Sequence, residues 1–152
     1  MKKFLFCLLL SCVIAAAAFS QSRSRAGTTP ASLRFSEFYA GGGSRGLVFS
    51  EKLKGLNNSS VVMSGFMAPP LRPALDFFVL TSRPLAICPF CDTDASWPAD
   101  IVVVYLRAGQ TTTATANPIQ VTGRLELGSY TDEITGFVSQ IRIYADRIER
   151  VR

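Results

Sequence analysis

Two cysteines, two aspartates and the single tryptophan of the chain fall within ten residues, Cys88-Pro89-Phe90-Cys91-Asp92-Thr93-Asp94-Ala95-Ser96-Trp97. Those residue types at that spacing admit four kinds of chemistry. A Cys88–Cys91 disulfide closes a very small ring, so its entropic effect is small, but it stiffens a Pro-rich segment. Thiol–disulfide exchange needs a thiolate, usually stabilised at the start of a long helix. Asp92 and Asp94 would instead raise a thiol pKa, and Pro98 stops any helix within two turns. Metal binding has Cys88 and Cys91 as thiolate ligands with Asp92 and Asp94 as oxygen ligands. Zinc in a structural site takes four ligands, commonly from two separated pairs, whereas copper(I) is satisfied by two thiolates. Met63 and Met67 lie on an upstream strand, where methionine is more often core than ligand. The fourth reading is a binding loop that shows Phe90 and Trp97 to a partner.

The rest of the composition limits the options. The chain has no histidine, which removes Ser-His-Asp triads, Cys-His proteases and His-ligated metals. Residues 1–20 have the form of an export signal: Lys2 and Lys3, an apolar run from Phe4 to Ala18 broken by Ser11, then small residues suited to cleavage. Within it, Leu9-Leu10-Ser11-Cys12 resembles a bacterial lipoprotein box with Cys12 as the lipidated residue, although the apolar run continues from Val13 to Phe19 where polar sequence usually follows such a cysteine. Losing Lys2 and Lys3 with the leader lowers the formal charge of +5 by two, to +3. The arginines are spread along the chain, so no nucleic-acid surface is expected. Export implies a periplasmic protein, or an envelope-anchored one if Cys12 carries lipid. In that oxidising compartment Cys88 and Cys91 are the pair that remains.

The elements that must position the cysteine segment read as β. Residues 21–31 are small, polar and basic and are expected to be a flexible tether; residues 32–152 form the single domain. Leu33–Tyr39 reads as a short strand or helical turn docked on the core. Gly41-Gly42-Gly43-Ser44-Arg45-Gly46 satisfies G-x-G-x-x-G, but no long helix follows, so it reads as a loop. Ser50 is the expected N-cap of a short helix over 51–56. Strands are expected at 60–67, where Gly65 marks a bulge or close approach, and at 76–80 and 101–106, the last apolar on both faces. A Thr- and Ala-rich turn region follows at 109–117. A strand at 119–127 with Gly123 as a kink comes next, then a polar connection at 128–136 with Asp132 and Glu133 as solvated charge. The last strand spans 138–148, with a helix as the competing reading, and leads into a basic edge at Arg142, Arg147, Arg150 and Arg152. The expected fold is therefore all-β: a small five-stranded OB-like Greek-key barrel with one short helix, preceded by the signal segment.

Ser64-Gly65-Phe66-Met67-Ala68-Pro69-Pro70, Phe78-Val79-Leu80-Thr81, Cys88-Pro89-Phe90-Cys91 and Ile101-Val102-Val103-Val104 together give a pattern over residues 47–150. It resembles a group of uncharacterised exported bacterial proteins. The resemblance implies a small OB-like β-barrel, with some members associated with metal-type ABC transport systems. Members often carry a histidine in the cysteine loop, and this chain departs from them there. The expectation is a non-enzymatic binding or accessory protein of the envelope, with metal handling (zinc or copper) at Cys88–Cys91. Its partners would be an envelope protein or ABC transport components. The alternative is a periplasmic thiol–disulfide redox protein using the same pair.

Overall fold

A computed structural model of the chain describes residues 29–43, 46–69, 76–86 and 98–151. The segment read as an export signal, with Cys12, and the residues Cys88, Phe90, Cys91, Asp92, Asp94 and Trp97 lie outside them. The described chain is all-β apart from short turns and one small helix. In chain order the elements are β1 (Ala31–Ser32), a 3-10 turn (Phe35–Glu37), β2 (Tyr39–Gly43), β3 (Gly46–Phe49), α1 (Glu51–Gly55), β4 (Ser60–Met67), β5 (Phe77–Thr81), β6 (Ile101–Tyr105), β7 (Ile119–Thr131) and β8 (Val138–Arg150).

The main sheet has six strands, not the five expected, in the order β1-β4-β5-β6-β8-β7. β4 pairs with both β5 and β7, so β4, β5, β6, β8 and β7 make a closed circuit of hydrogen-bonded neighbours. All neighbours in the circuit are antiparallel except β6 and β8, which are parallel. The sixth strand straddles the end of the segment read as tether and the start of the domain: Ala31 and Ser32 pair parallel with Val61 and Val62. The Gly-rich segment read as a loop is instead an antiparallel hairpin, β2 with β3. Its sequence looks irregular because glycines hide the alternation that marks a strand.

Inside the circuit lies one apolar core. Phe78 and Leu80, Val102 and Val104, Ile119, Val121 and Leu125, and Ile141, Ile143 and Ala145 all point inward. Met63 is a member of this core, and Met67 packs against it. Leu33, Phe38 and Leu53 close one side of it from the 3-10 turn and α1. Ser50 caps that helix as expected, its Oγ accepting from Leu53 N–H at 3.1 Å. Both glycines picked out in the strands are close approaches. A Cβ on Gly65 would lie 2.6 Å from the Thr81 carbonyl oxygen, and one on Gly123 2.3 Å from that of Tyr144. The β7–β8 register shifts at Thr122/Gly123 and again at Leu127/Tyr130. Such shifts bend a strand, and the long β7–β8 hairpin uses them to follow the curve of the ring. The helical reading of 138–148 is overturned, because β8 pairs with β7 along almost its whole length.

Candidate functional site

The cysteine segment falls, in sequence, between β5 and β6. The feet of that connection are described, and they are tied together. Ser82 N–H donates to the Asp100 carbonyl at 3.3 Å, and Ser82 Oγ–H donates to the Asp100 carboxylate at 2.7 Å. Thr81 Oγ1–H is 2.7 Å from the Arg83 carbonyl and 3.1 Å from that of Phe66. Among the described residues no group of three or more His, Cys, Asp or Glu side chains could hold a metal ion. Phe137 of the β7–β8 connection and Leu85 of the β5–β6 connection pack against one small cluster, Ala68, Val79 and Ile101. The two connections therefore meet over the outer face of β5 and β6.

That outer face continues as two rows of side chains, which the strand register dictates. In the first, cross-strand partners run Arg124 (β7), Tyr144 (β8), Tyr105 (β6), Phe77 (β5). The Arg124 guanidinium lies 4.6 Å from the Tyr144 ring centre, and Tyr144 and Tyr105 stack with centroids 5.4 Å apart. Tyr105 then tilts against Phe77 at 5.3 Å. In the second row, Glu126, Arg142, Val103 and Val79 are successive partners. Each row passes from charge on β7 to apolar side chains on β5, where the β7–β8 connection covers the sheet.

Arg142 holds the charged end of the site. Its side chain is only 3% exposed. Nη2 donates to Glu126 Oε1 at 2.8 Å, and Nη1 donates to the Gly128 carbonyl at 2.6 Å and to the Ser139 carbonyl at 3.2 Å. The guanidinium also faces the Tyr130 ring at 4.9 Å. Nε is buried with no hydrogen-bond partner among the described residues. A buried cation is tolerated only when paired. Glu126 supplies that pair, and hydrogen bonds from Arg142 and then Arg124 hold its carboxyl below the usual range. The reading of Arg142 as part of a solvated basic edge is thus wrong. Solvent exposure holds for Arg147 and Arg150, not for Arg142.

The β7–β8 connection itself is tightly fastened. Asp132 Oδ1 accepts from Thr135 N–H at 2.9 Å and from Thr135 Oγ1–H at 2.7 Å. The backbone closes the same turn, with Asp132 N–H donating to Phe137 and Gly136 N–H donating to Asp132, both at 2.8 Å. Tyr105 Oη–H reaches Asp132 Oδ2 at 3.3 Å, tying the turn to β6. Hydrogen bonds from the Thr135 side chain, above all, lower the Asp132 pKa. Burial, and then the Asp132 charge, push the Tyr105 phenol upward. Asp132 is therefore a structural acceptor, not the solvated charge expected, whereas Glu133 is exposed. At the apex of this turn Ile134 is 81% exposed, with Val138 at 47% and Tyr130 at 39% beside it.

The groups of this cluster are engaged chiefly with one another, and it is compact. Its tyrosine faces are taken up by arginines or other rings, and its carboxylates by donors. What it can do is hold a shape: it fixes a turn that shows one large apolar side chain to solvent. Sequence reasoning missed Tyr105, Tyr130, Tyr144, Glu126 and Arg142. The available signal was the alternation in β7 and β8, which puts Arg124 and Glu126 on the same face as Arg142 and Tyr144 once the strands are paired.

No helix among the described residues is long and apolar enough to cross a membrane. No family model matches the chain, and no curated protein matches it. A solved structure of a DUF3299 family protein from Pseudomonas aeruginosa PAO1 is similar, with a TM-score of 0.52 at 14% identity, covering 82% of this chain and 98% of that one. At that identity the likeness is one of fold. It is consistent with the expected kinship to an uncharacterised family, and it carries neither the ABC transport association nor the cysteine-loop pattern.

Proposed function

We propose that this chain is a non-enzymatic binding or accessory module of the bacterial envelope, built on an OB-like barrel. The OB-like reading is supported by the circuit β4-β5-β6-β8-β7 closing on β4, with β6 and β8 parallel. The observation that carries the binding reading is Ile134, held out at the apex of a turn with fixed hydrogen bonds. A preorganised apolar side chain loses little freedom on association and makes an effective anchor. The partner surface then lies at the meeting of the β7–β8 turn and the feet of the cysteine segment. Zinc or copper handling by Cys88 and Cys91, with Asp92 and Asp94 as further ligands, is the chemistry assigned to that segment.

A photo-reactive amino acid placed at position 134 in the native host tests the binding reading. The expected result is one discrete adduct with an envelope protein, lost when Val138→Asp is added. The same smear from position 134 as from the exposed control Lys54 would overturn it. The metal assignment is tested on chelator-free protein from its native compartment, by intact mass after alkylation with elemental analysis of the same sample. Two free thiols with stoichiometric metal support it. A disulfide without metal removes it and leaves the binding reading standing.

A further inference from the structure

The connection between β6 and β7 is held by a few hydrogen bonds near its two ends, and its composition is narrow. Arg107 to Asn117 reads Arg-Ala-Gly-Gln-Thr-Thr-Thr-Ala-Thr-Ala-Asn. Its first residues form a turn, with Gln110 N–H donating to the Arg107 carbonyl at 2.8 Å. Near its end Asn117 N–H donates to Thr115 Oγ1 at 3.1 Å. Between these, residues 111–114 have no regular structure and are exposed. The Thr111, Thr112 and Thr113 hydroxyls make no hydrogen bond to any described residue. Thr81 at the end of β5 and Thr135 in the β7–β8 turn are used structurally, each making several bonds.

Elimination narrows what such a segment can offer. From Arg107 to Asn117 no apolar side chain exceeds alanine, so there is no anchor for a protein partner. Its only charge is Arg107, which pairs with Asp146. An ionic ligand therefore has nothing to hold. What remains is three consecutive free hydroxyls on an accessible backbone with small neighbours. Loops of this length inside a compact domain usually carry a function, and exposed Thr-rich sequence next to proline is the composition of O-glycosylated segments. Pro118 lacks an N–H and delays the start of β7, so the acceptor backbone stays out of the sheet.

We propose that Thr111–Thr113 are an O-glycosylation site. The co-reactant is an activated sugar, carried on a nucleotide or lipid phosphate, used by a separate transferase. The threonine Oγ attacks the anomeric carbon. The new C–O bond forms as the bond from that carbon to the phosphate oxygen breaks. The hydroxyl proton leaves to the transferase base, and the phosphate departs with the bonding pair. No oxidation or reduction occurs.

Trypsin releases this segment as residues 108–124, because no lysine or arginine lies between Arg107 and Arg124. That peptide also contains Thr122, which is buried in β7 and serves as an internal control. The full chain is purified from its native host, and the peptide is sequenced by a fragmentation method that preserves glycans. The expected result is a mass increase of whole sugar residues on Thr111, Thr112 or Thr113, and none on Thr122. The triple variant Thr111→Ala/Thr112→Ala/Thr113→Ala should lose the increase while keeping the wild-type unfolding midpoint. An unmodified peptide in protein whose leader has been removed overturns the site. Protein that keeps its leader and is unmodified overturns both the site and the export reading. A deoxycholate-extracted lipid-linked sugar pool and a soluble nucleotide-sugar pool, supplied separately to lysate, identify the donor by which one restores the mass.

Discussion

The two faces of β5, β6, β8 and β7 share one backbone and follow opposite rules. The inner face is apolar throughout and closes on itself, so its members are held by burial and shape. The outer face is a graded surface, charged at β7, aromatic in the middle and apolar at β5. Its members are held by named partners: Arg142 by Glu126, Tyr130 and two carbonyls, and Tyr105 by Asp132 and three rings. The contrast teaches where each kind of damage should be felt. Loss of shape inside unfolds the ring. Loss of a partner outside loosens one turn.

The largest effect should come from inside. Gly123→Val would force a Cβ onto the Tyr144 carbonyl, and backbone cannot yield as a flexible side chain can. A loss of more than about 3 kcal/mol is expected, read as a collapse of the urea midpoint or as insoluble protein. A midpoint near wild type would mean that the inner face tolerates what the geometry forbids.

Next comes the outer face at its most buried point. Arg142→Met removes the cation and leaves Glu126 Oε1 and two carbonyls without that donor while Arg124 still holds Glu126 Oε2, costing about 2 kcal/mol, because Glu126 is also partly exposed to water. The pH dependence should change with it. The folded-state pKa of Glu126 lies below its unfolded value, so its contribution is present above the unfolded value of 4.5 and is lost as pH falls through the folded one. Wild type should therefore weaken on acidification more steeply than Arg142→Met, which denaturation at a series of pH values measures. Equal slopes would remove Arg142 as the source.

Smaller still is Tyr105→Phe. It deletes one hydrogen bond to Asp132 and keeps the ring stack, so about 1 kcal/mol is expected. Hydrogen exchange should rise at Thr135 and Gly136 and not in β6; a uniform rise would show that the turn is not separately fastened. The smallest effect on stability belongs to Ile134→Asp, within about 0.5 kcal/mol, because the side chain touches mainly water. The same variant, carrying the photo-reactive residue at Val138 instead, should abolish partner capture. A large loss of stability there would place Ile134 among the supports of the fold.

Strand positions were legible in the sequence wherever alternation or a β-branched run survived, as in Ile101–Val104 and Ile119–Leu127. Gly65 was legible as a bulge or close approach and Gly123 as a kink, because glycine inside a strand marks such places; that a Cβ at Gly123 would also meet the Tyr144 carbonyl was not legible. The hairpin at Tyr39–Phe49 was not legible, since four glycines carry no face. The outer rows were invisible for a different reason. Tyr105 and Tyr144 are far apart in the chain, and only the parallel pairing of β6 with β8 makes them neighbours. Sequence also draws attention to rare residues, and so to Cys88 and Cys91; Arg142 is one of many arginines, and only burial distinguishes it.

The pairing that closes the ring also sets an order in time. β4 must find β7, with Ser60 opposite Arg124, and β6 must find β8, with Val103 opposite Arg142. Neither partner exists when the first half of the chain leaves the ribosome. The β4–β5–β6 meander can form early, but it exposes both faces of β5 and β6 until β7 and β8 arrive. Pairings this distant in sequence are slow to form, and an apolar sheet without its edges covered is prone to aggregate. The nascent protein therefore has a window of vulnerability that ends only when the last hairpin docks.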